Sequence, residues 1–267
     1  MTESVSFDRA ADYYDRTRSL TDEQMEVLVS RLLAELPGSG RCLEIGIGTG
    51  RIALPLRARR IRMVGIDISV EMLRKLREKD ATVPVAIADA TRLPFADGTF
   101  AAAVAAHVLH LIPGWKTAID ELMRVVVPGG VFLASKGGDL RPEWQARVRS
   151  RFFAEAGDPP WPRGIDTMQE LDEEMRERGA AVREIRDVRS EGTFSISMLL
   201  EAFEKGIYAA CWSIDDATRR RAAAATREWA ESEFGDLDAP RQSWNSSDWR
   251  AYLLVSPIAE GRTRASG

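Results

Sequence analysis

Residues 43–50 read LEIGIGTG, and Arg51 follows them. The apolar start of this stretch predicts a buried strand, and its glycines predict the loop that leaves the strand. The dinucleotide fingerprint G-x-G-x-x-G needs a third glycine that lets helix and strand pack closely. Counted from Gly46 and Gly48, that position is Arg51, and the remaining glycine falls at Gly50 instead. The stretch therefore predicts an α/β protein with a glycine loop, but not the dinucleotide-binding one.

A carboxylate lies beside this loop. Glu44 precedes Gly46 by two residues, near the end of the predicted strand. A bound pyrophosphate would face this carboxylate, and like charges at short range are unfavourable. A cationic ligand would be attracted instead, and S-adenosylmethionine (SAM) carries a sulfonium, an amine and no phosphate. The alternative is that Glu44 only accepts hydrogen bonds from loop amides.

The overall composition is that of an ordinary globular chain. Of 267 residues, 45% are hydrophobic and 29% charged, with a formal net charge of −4. Such a charge does not favour binding to nucleic acid or to an anionic membrane surface. The first residues, MTESVSFDRAADYYDR, are too polar for a signal peptide, and the longest apolar run, AAAVAAHVLHLI, is too short to span a bilayer. We therefore expect a cytoplasmic protein, whose two cysteines belong to no metal or redox motif.

Strands and helices alternate along the first half of the chain, which predicts βαβ units and a parallel sheet. The second half is mainly helical, with two further strands. Strands are predicted at residues 41–47, 62–68, 83–89, 100–106, 131–135, within 181–194 and at 249–255, and helices at 21–36, 51–59, 70–79, 115–127, 142–156, 167–178, 195–211 and 216–234.

Five ordered segments resemble the class I SAM-dependent methyltransferases, and most closely their UbiE-like small-molecule branch. They are LEIGIGTGRIALPL, VGIDIS, IADATRLPFADGTF, HVLHLI and RVVVPGG, and the resemblance extends over residues 7–135. It implies a Rossmann-like, doubly wound, mostly parallel seven-stranded sheet with helices on both faces and a helical cap. It also implies SAM as the cofactor, with S-adenosylhomocysteine as its product.

The resemblance implies a division of the chain into four parts of one structural domain. These parts are N-terminal cap helices at 1–36, a SAM-binding core at 37–194, a helical cap and acceptor region at 195–246, and the last strand with a tail at 247–267.

The resemblance also assigns roles at the ends of the second and third strands. Asp67 would accept hydrogen bonds from the ribose hydroxyls, and Ile68 would lie against the adenine face. Asp89 would accept from the adenine amino group, and the amide of Ala90 would face a ring nitrogen. Other interpretations remain: Asp67 could be solvated beside a helix cap at Ser69, and Asp89 could open a turn before Thr91.

The N-terminal segment FDRAADYYDRTR is similar to the segment that precedes the core in this family. Tyr14 and Arg18 are four residues apart, so they share one helical face if the segment is helical. They would then reach the methionine carboxylate of SAM, which Arg18 can bind through two hydrogen bonds. Alternatively, the pair only stabilises a surface helix.

The histidines, His107 and His110, follow the fourth strand. Metal ligation is disfavoured because no third ligand lies nearby in the sequence, and we expect no metal. The family places a backbone contact to the methionine amine near His107. His110 is a tentative general base on the acceptor side, since imidazole titrates near neutrality, but a structural role is the simpler interpretation.

An apolar face of the predicted helix 195–211 is a candidate lining for a small apolar or aromatic acceptor. It consists of Phe203, Ile207, Tyr208, Ala210 and Cys211. Buried core is the competing interpretation of this face. The basic run at residues 219–221 reads as a solvated helix surface rather than a nucleic-acid site.

Together these patterns predict an enzyme that transfers the SAM methyl group to oxygen, nitrogen or carbon of a small molecule by direct in-line displacement. Two alternatives remain open. One is an NAD(P)-dependent oxidoreductase on the same kind of sheet, and the other is a SAM-binding protein without catalytic activity.

Overall fold

The structure is a computed structural model that describes residues 4–17, 20–137, 141–159, 164–185, 190–245 and 247–254. The chain divides into two compact units. The first comprises residues 1–136, 164–186 and 248–267, and the second comprises residues 137–163 and 187–247. Within the described ranges, no helix is both long and apolar enough to cross a membrane.

The strands are β1 Arg41–Ile45, β2 Arg62–Asp67, β3 Val85–Ile87, β4 Phe100–Ala106, β5 Val126–Gly137, β6 Ala181–Ile185, β7 Ser190–Phe194, β8 Arg241–Asn245 and β9 Ser247–Leu253. The α-helices are α1 Tyr14–Thr17, α2 Asp22–Glu35, α3 Ala53–Ala58, α4 Val70–Lys79, α5 Trp115–Val125, α6 Glu143–Glu155, α7 Met168–Glu177, α8 Ile196–Glu204 and α9 Asp216–Phe234.

The first unit is built on a sheet of seven strands in the order β3-β2-β1-β4-β5-β9-β6. Strands β1 to β5 pair in parallel, whereas β6 and β9 pair antiparallel. In this register Glu44 lies between Gly65 of β2 and Val104 of β4. The predicted α/β, Rossmann-like, mostly parallel sheet of seven strands is confirmed.

Local sequence signals set several helix ends as expected. Helix α2 begins with a complete capping box, in which Thr21 and Gln24 exchange backbone and side-chain hydrogen bonds. Helix α4 begins at the Ser69 hydroxyl, which accepts from the Met72 amide. Pro55 is the third residue of α3, within the first turn, where its missing N–H leaves no helical hydrogen bond unmade.

The fifth strand is longer than predicted. Residues 128–130 (Pro-Gly-Gly) lie between the helix predicted to end at residue 127 and the strand predicted to begin at residue 131, but β5 already begins at Val126. The register with β4 shifts between Phe100 and Ala102, which accommodates the extra residues as an irregularity. The amide of Gly129 donates to the carbonyl of Leu254, and the amide of Leu254 donates to the carbonyl of Gly130, so pairing with the residue that follows β9 holds the segment in the sheet.

A buried polar cluster connects α7 to the sheet of the first unit. The Asp172 carboxylate accepts from the Tyr252 hydroxyl at 2.8 Å and from Arg250 Nε at 3.1 Å. All three residues are buried. Because each polar atom is paired, the cluster satisfies charges that would otherwise be costly to bury.

The second unit contains α6, α8 and α9 and an antiparallel hairpin of β7 and β8. Its core is aliphatic and aromatic, and Phe152 and Phe203 stack with ring centroids 4.7 Å apart. The single helix predicted for residues 195–211 is wrong: α8 ends at Glu204, and Gly206 follows with φ +65°. The chain then makes a 3-10 turn at Ala209–Cys211.

The solvated surface predicted for residues 219–221 is wrong at Arg219, which is only 6% exposed. Its guanidinium donates to the carbonyls of Glu204 and Ile214 and pairs with Asp216. Arg219 therefore joins the start of α9 to the end of α8.

Candidate cofactor site

The candidate residues assemble at one edge of the sheet, because the carboxyl ends of parallel strands meet there. The glycine loop follows β1, Asp67 ends β2, Asp89 comes after β3, and His107 comes after β4. The polar residues singled out in the sequence therefore lie at or just beyond the ends of neighbouring strands, with Asp89 two residues past the end of β3.

The glycine loop needs backbone conformations that residues other than glycine rarely adopt. Gly46, Gly48 and Gly50 have φ of +65°, +56° and +81°. A Cβ on Gly50 would lie 2.4 Å from Leu76 Cδ1 of α4. The loop is therefore both left-handed and in close contact with α4, which accounts for a glycine where the dinucleotide fingerprint has none.

Asp67 connects the end of β2 to the glycine loop. Its carboxylate accepts from the Gly48 amide at 2.8 Å through Oδ2 and from the Ser69 amide at 2.9 Å through Oδ1. Burial raises the pKa of Asp67, and the amide hydrogen bonds oppose that rise. The carboxylate is thus half-buried and fixed in position, at the end of the strand where the ribose contact is expected.

Glu44 is a buried acid with an unpartnered oxygen. It is 2% exposed, and among the described residues its Oε2 has no hydrogen-bond partner. Burial raises its pKa to about 8, against the opposing effect of Arg51 and of an Ala53 amide that donates to the carboxylate. Glu44 thus accepts from the amide at the start of α3, and its other carboxyl oxygen retains free acceptor capacity among the described residues.

These residues fit a cationic cofactor. A positive charge beside the glycine loop would favour the ionised form of Glu44, whereas a phosphate would oppose its ionisation. Asp67 presents a second acid at the next strand end. The acidic side chains and the glycine loop at this edge of the sheet thus suit SAM. Glu44, the loop and Asp67 are the residues that would hold it.

Asp89 forms a local turn. Its Oδ1 accepts from the amide and the hydroxyl of Thr91, both at 2.9 Å. This is the turn-opening contact foreseen as the alternative to adenine binding. Asp89 is exposed, Ile68 is half-buried and Ala90 is 7% exposed, so their adenine contacts stay predictions.

The N-terminal segment contributes acids that the sequence did not single out. Asp8 Oδ1 accepts from the Ser69 hydroxyl at 2.6 Å, which ties the segment to the first turn of α4. Asp15 accepts from the Thr49 hydroxyl at 2.6 Å and pairs with Lys79 at 2.7 Å. These contacts hold the segment against the glycine loop and α4.

The predicted pair of Tyr14 and Arg18 is only partly described. Tyr14 begins α1, and its ring lies edge-on to Phe7 with centroids 6.0 Å apart. Arg18 lies outside the described residues, so the contact with the methionine carboxylate stays a prediction.

Both histidines lie near the ends of β4 and β5. His107 has φ +55°, and its amide donates to the Ser135 carbonyl at 2.9 Å. His110 belongs to a 3-10 turn, and its carbonyl accepts from the Gly164 amide at 3.2 Å.

Ser135, which sequence reasoning missed, is 1% exposed, and its Oγ has no partner among the described residues. A serine within a strand belongs to no sequence motif, so nothing in the sequence singles out Ser135 as a candidate.

The expected acceptor face is largely core. Phe203 and Cys211 are buried in the hydrophobic cluster of the second unit, while Ile207, Tyr208 and Ala210 are half-buried. The competing interpretation, buried core, therefore holds for Phe203 and Cys211.

Comparison with known proteins identifies the family of this chain. A family model described as a methyltransferase domain matches residues 43–134, from the glycine loop to β5. Demethylmenaquinone methyltransferase of Clavibacter sepedonicus is 35% identical over 134 residues, which cover 48% of this chain and 54% of that protein. The uncharacterised protein MJ1123 of Methanocaldococcus jannaschii is 36% identical over 169 residues, covering 62% of this chain and 79% of that protein.

Among solved structures, the YcgJ protein of Bacillus subtilis aligns with a TM-score of 0.61 at 18% identity, covering 88% of this chain and 99% of that one. This likeness concerns the fold. The chain spans about half the length of the first curated relatives that it matches.

Proposed function

We propose that this chain, which belongs to the class I SAM-dependent methyltransferases, transfers the methyl group of SAM to a small-molecule acceptor. The acceptor atom would be oxygen, nitrogen or carbon. The observation that carries the proposal is the buried Glu44, whose Oε2 has no hydrogen-bond partner among the described residues, two residues before a left-handed glycine loop. That combination suits a cofactor with a positive charge and no phosphate.

SAM supplies a methyl group already activated by its sulfonium, so the protein mainly has to hold donor and acceptor in line. Glu44 would stabilise the positive charge of the bound cofactor. Asp67 would accept from the ribose hydroxyls while its bond to the Gly48 amide keeps the loop in place. An O–H or N–H acceptor must lose a proton, and His110 is the base proposed for that step.

The two alternative functions make different demands on the same edge. A nicotinamide dinucleotide would bring its pyrophosphate to the glycine loop, beside the carboxylate of Glu44 and without the third fingerprint glycine. A SAM-binding protein without catalysis would use the same residues as the enzyme, so only turnover separates these two.

Isothermal calorimetry with S-adenosylhomocysteine tests the cofactor assignment. We expect binding in the submicromolar to micromolar range, and a thermal shift with SAM but none with NAD(H). A folded protein that does not bind S-adenosylhomocysteine would contradict the proposal. Tight binding without formation of S-adenosylhomocysteine from SAM, across a broad panel of phenols, amines and acids, would favour the non-catalytic alternative.

Asp67→Ala tests the ribose assignment. Loss of two charge-assisted hydrogen bonds, each contributing about 1.5 kcal/mol or more, should weaken S-adenosylhomocysteine binding about 100-fold. Asp97→Ala is the matched control, because Asp97 is an exposed carboxylate whose partner is Arg124. Equal affinities of the two variants would remove Asp67 from the cofactor site.

A further inference from the structure

The N-terminal residues form a strap across the edge of the sheet at which the candidate cofactor site lies. This strap, residues 4–17, is tied by the Val5 amide, which donates at 3.3 Å to the carbonyl of Leu111 in the turn that follows β4. Three residues later, Asp8 accepts at 2.6 Å from the hydroxyl of Ser69, which follows β2. In the sheet β1 lies between β2 and β4, and three extended residues reach about 10 Å, the width of two strand spacings. The strap therefore passes over the end of β1, where the glycine loop begins.

Beyond this crossing the strap lies along α4. The Asp12 carboxylate is 2.8 Å from Lys75 Nζ. About one helical turn further along α4, Lys79 Nζ is 2.7 Å from the Asp15 carboxylate. Asp15 also accepts from the Thr49 hydroxyl of the glycine loop at 2.6 Å, so this acid fastens the strap to the helix and to the loop together.

The strap is held mainly by polar contacts. Of residues 4–17, all of which the structure describes, only Ala10 and Ala11 are buried, and their methyl groups remove little apolar area from water. The acids that hold the strap stay in solvent, with the side chain of Asp12 81% exposed and that of Asp15 48% exposed. A segment with few buried apolar contacts opens locally at low free energy while the rest of the protein stays folded. Exposed ion pairs are also weak and are screened by salt, so these contacts break easily.

We propose that the strap is a gate for the cofactor, which enters and leaves the site only when the contacts of Asp12 and Asp15 with α4 are broken. In the closed arrangement Thr49 is 0% exposed, and its hydroxyl is bonded to Asp15. Opening withdraws that carboxylate from the glycine loop and uncovers the loop. The rate of cofactor exchange is then set by an electrostatic latch on the far side of α4 from the chemistry. This inference rests on the proposed function, because the loop is a gated site only if it holds SAM.

A cleavable crosslink tests the gate in the full chain. The double variant Asp12→Cys/Lys75→Cys is joined by a short bis-methanethiosulfonate reagent, and the native Cys42 and Cys211 are protected because both are buried. Stopped-flow fluorescence then measures the association and dissociation rates of S-adenosylhomocysteine before and after reduction of the crosslink. We expect the joined strap to slow both rates at least tenfold and reduction to restore them. Unchanged rates in a fully joined sample would overturn the proposal.

Asp12→Asn weakens the latch without changing a residue assigned to the cofactor. It should speed the dissociation of S-adenosylhomocysteine about threefold, the effect expected from the loss of one exposed ion pair. Asp97→Asn is the matched control, because the side chain of Asp97 is also 81% exposed and also lies 2.8 Å from a cation, Arg124. Added salt should speed dissociation from the wild type and from the control more than from Asp12→Asn. Equal dissociation rates of the two variants would count against the latch.

Amide hydrogen exchange follows the strap without any ligand. We expect residues 4–17 to exchange much faster than β1, and faster still in Asp12→Asn. Strap amides protected as strongly as those of β1 would overturn the gate whatever the protein binds. If the wild type does not bind S-adenosylhomocysteine at all, the proposed function fails and the gate fails with it. Normal binding at rates that the crosslink leaves unchanged refutes the gate alone.

Discussion

Replacing Glu44 by glutamine should change how the stability of the protein depends on pH. Burial raises the pKa of this carboxyl from its ordinary 4.5 to about 8. Between pH 4.5 and about pH 8, Glu44 therefore keeps its proton in the folded state, whereas it has lost that proton in the unfolded state. By linkage, the stability from this proton is fully present below pH 4.5 and is lost as the pH rises through about 8.

The magnitude follows from the size of the shift. Each unit of pKa difference corresponds to about 1.4 kcal/mol. Between pH 5 and pH 8 the free energy of unfolding of the wild type should thus fall by about 4 kcal/mol relative to Glu44→Gln. Glutamine has a similar shape and does not titrate, so the difference isolates this one group.

Urea unfolding followed by circular dichroism at pH 5, 6.5 and 8 measures the effect. Both proteins share every other titrating group, so only the difference between their curves is interpreted. Parallel curves for wild type and Glu44→Gln would refute the reasoning, because they would mean that Glu44 titrates alike in the folded and unfolded chains.

The same carboxyl should report on the bound cofactor. A positive charge beside Glu44 lowers its pKa, so binding of SAM at pH 7 should release close to one proton in the wild type and none in Glu44→Gln. Calorimetry in two buffers of different ionisation enthalpy counts the protons. Equal proton release by both proteins would remove Glu44 from the charged part of the cofactor site.

Two further substitutions test the framework of the first unit. Gly50→Ala adds a methyl group 2.4 Å from a leucine of α4 at φ +81°, and should lower the free energy of unfolding by about 3 kcal/mol. Gly38→Ala, where the added Cβ meets nothing within 4 Å, is the control in the same urea titrations. Asp172→Ala leaves Arg250 Nε and the buried Tyr252 hydroxyl without their shared acceptor and should cost about 3 kcal/mol, whereas the exposed neighbour Glu173 should tolerate alanine in a thermal melt.

The sheet could be predicted from the sequence because its signals are local. Apolar runs and helix caps such as those at Thr21 and Ser69 lie within a few residues of the elements that they define. The extent of β5 could not be predicted, because residues that read as a turn are held extended by pairing with Leu254 near the other end of the chain. Long-range pairing overrode local preference there.

The residues of the candidate site also differ in whether a local sequence signal marks them. Glu44 and Asp67 were found because each occupies a fixed place at the end of its strand. Asp15 was missed, because its partner Thr49 lies 34 residues away and nothing near Asp15 marks the contact.

Two acids lie at the cofactor edge, and their ionisation bears on what the site can bind. Burial raises the pKa of both carboxyls, and the charge of Asp67 raises that of Glu44 further. A dinucleotide phosphate would add to this electrostatic repulsion. A sulfonium or ammonium would relieve it, and the relief would be greater in the wild type than in Glu44→Gln. The affinity for SAM should therefore rise with pH toward about 8 in the wild type, as Glu44 ionises, and should vary less with pH in the glutamine variant.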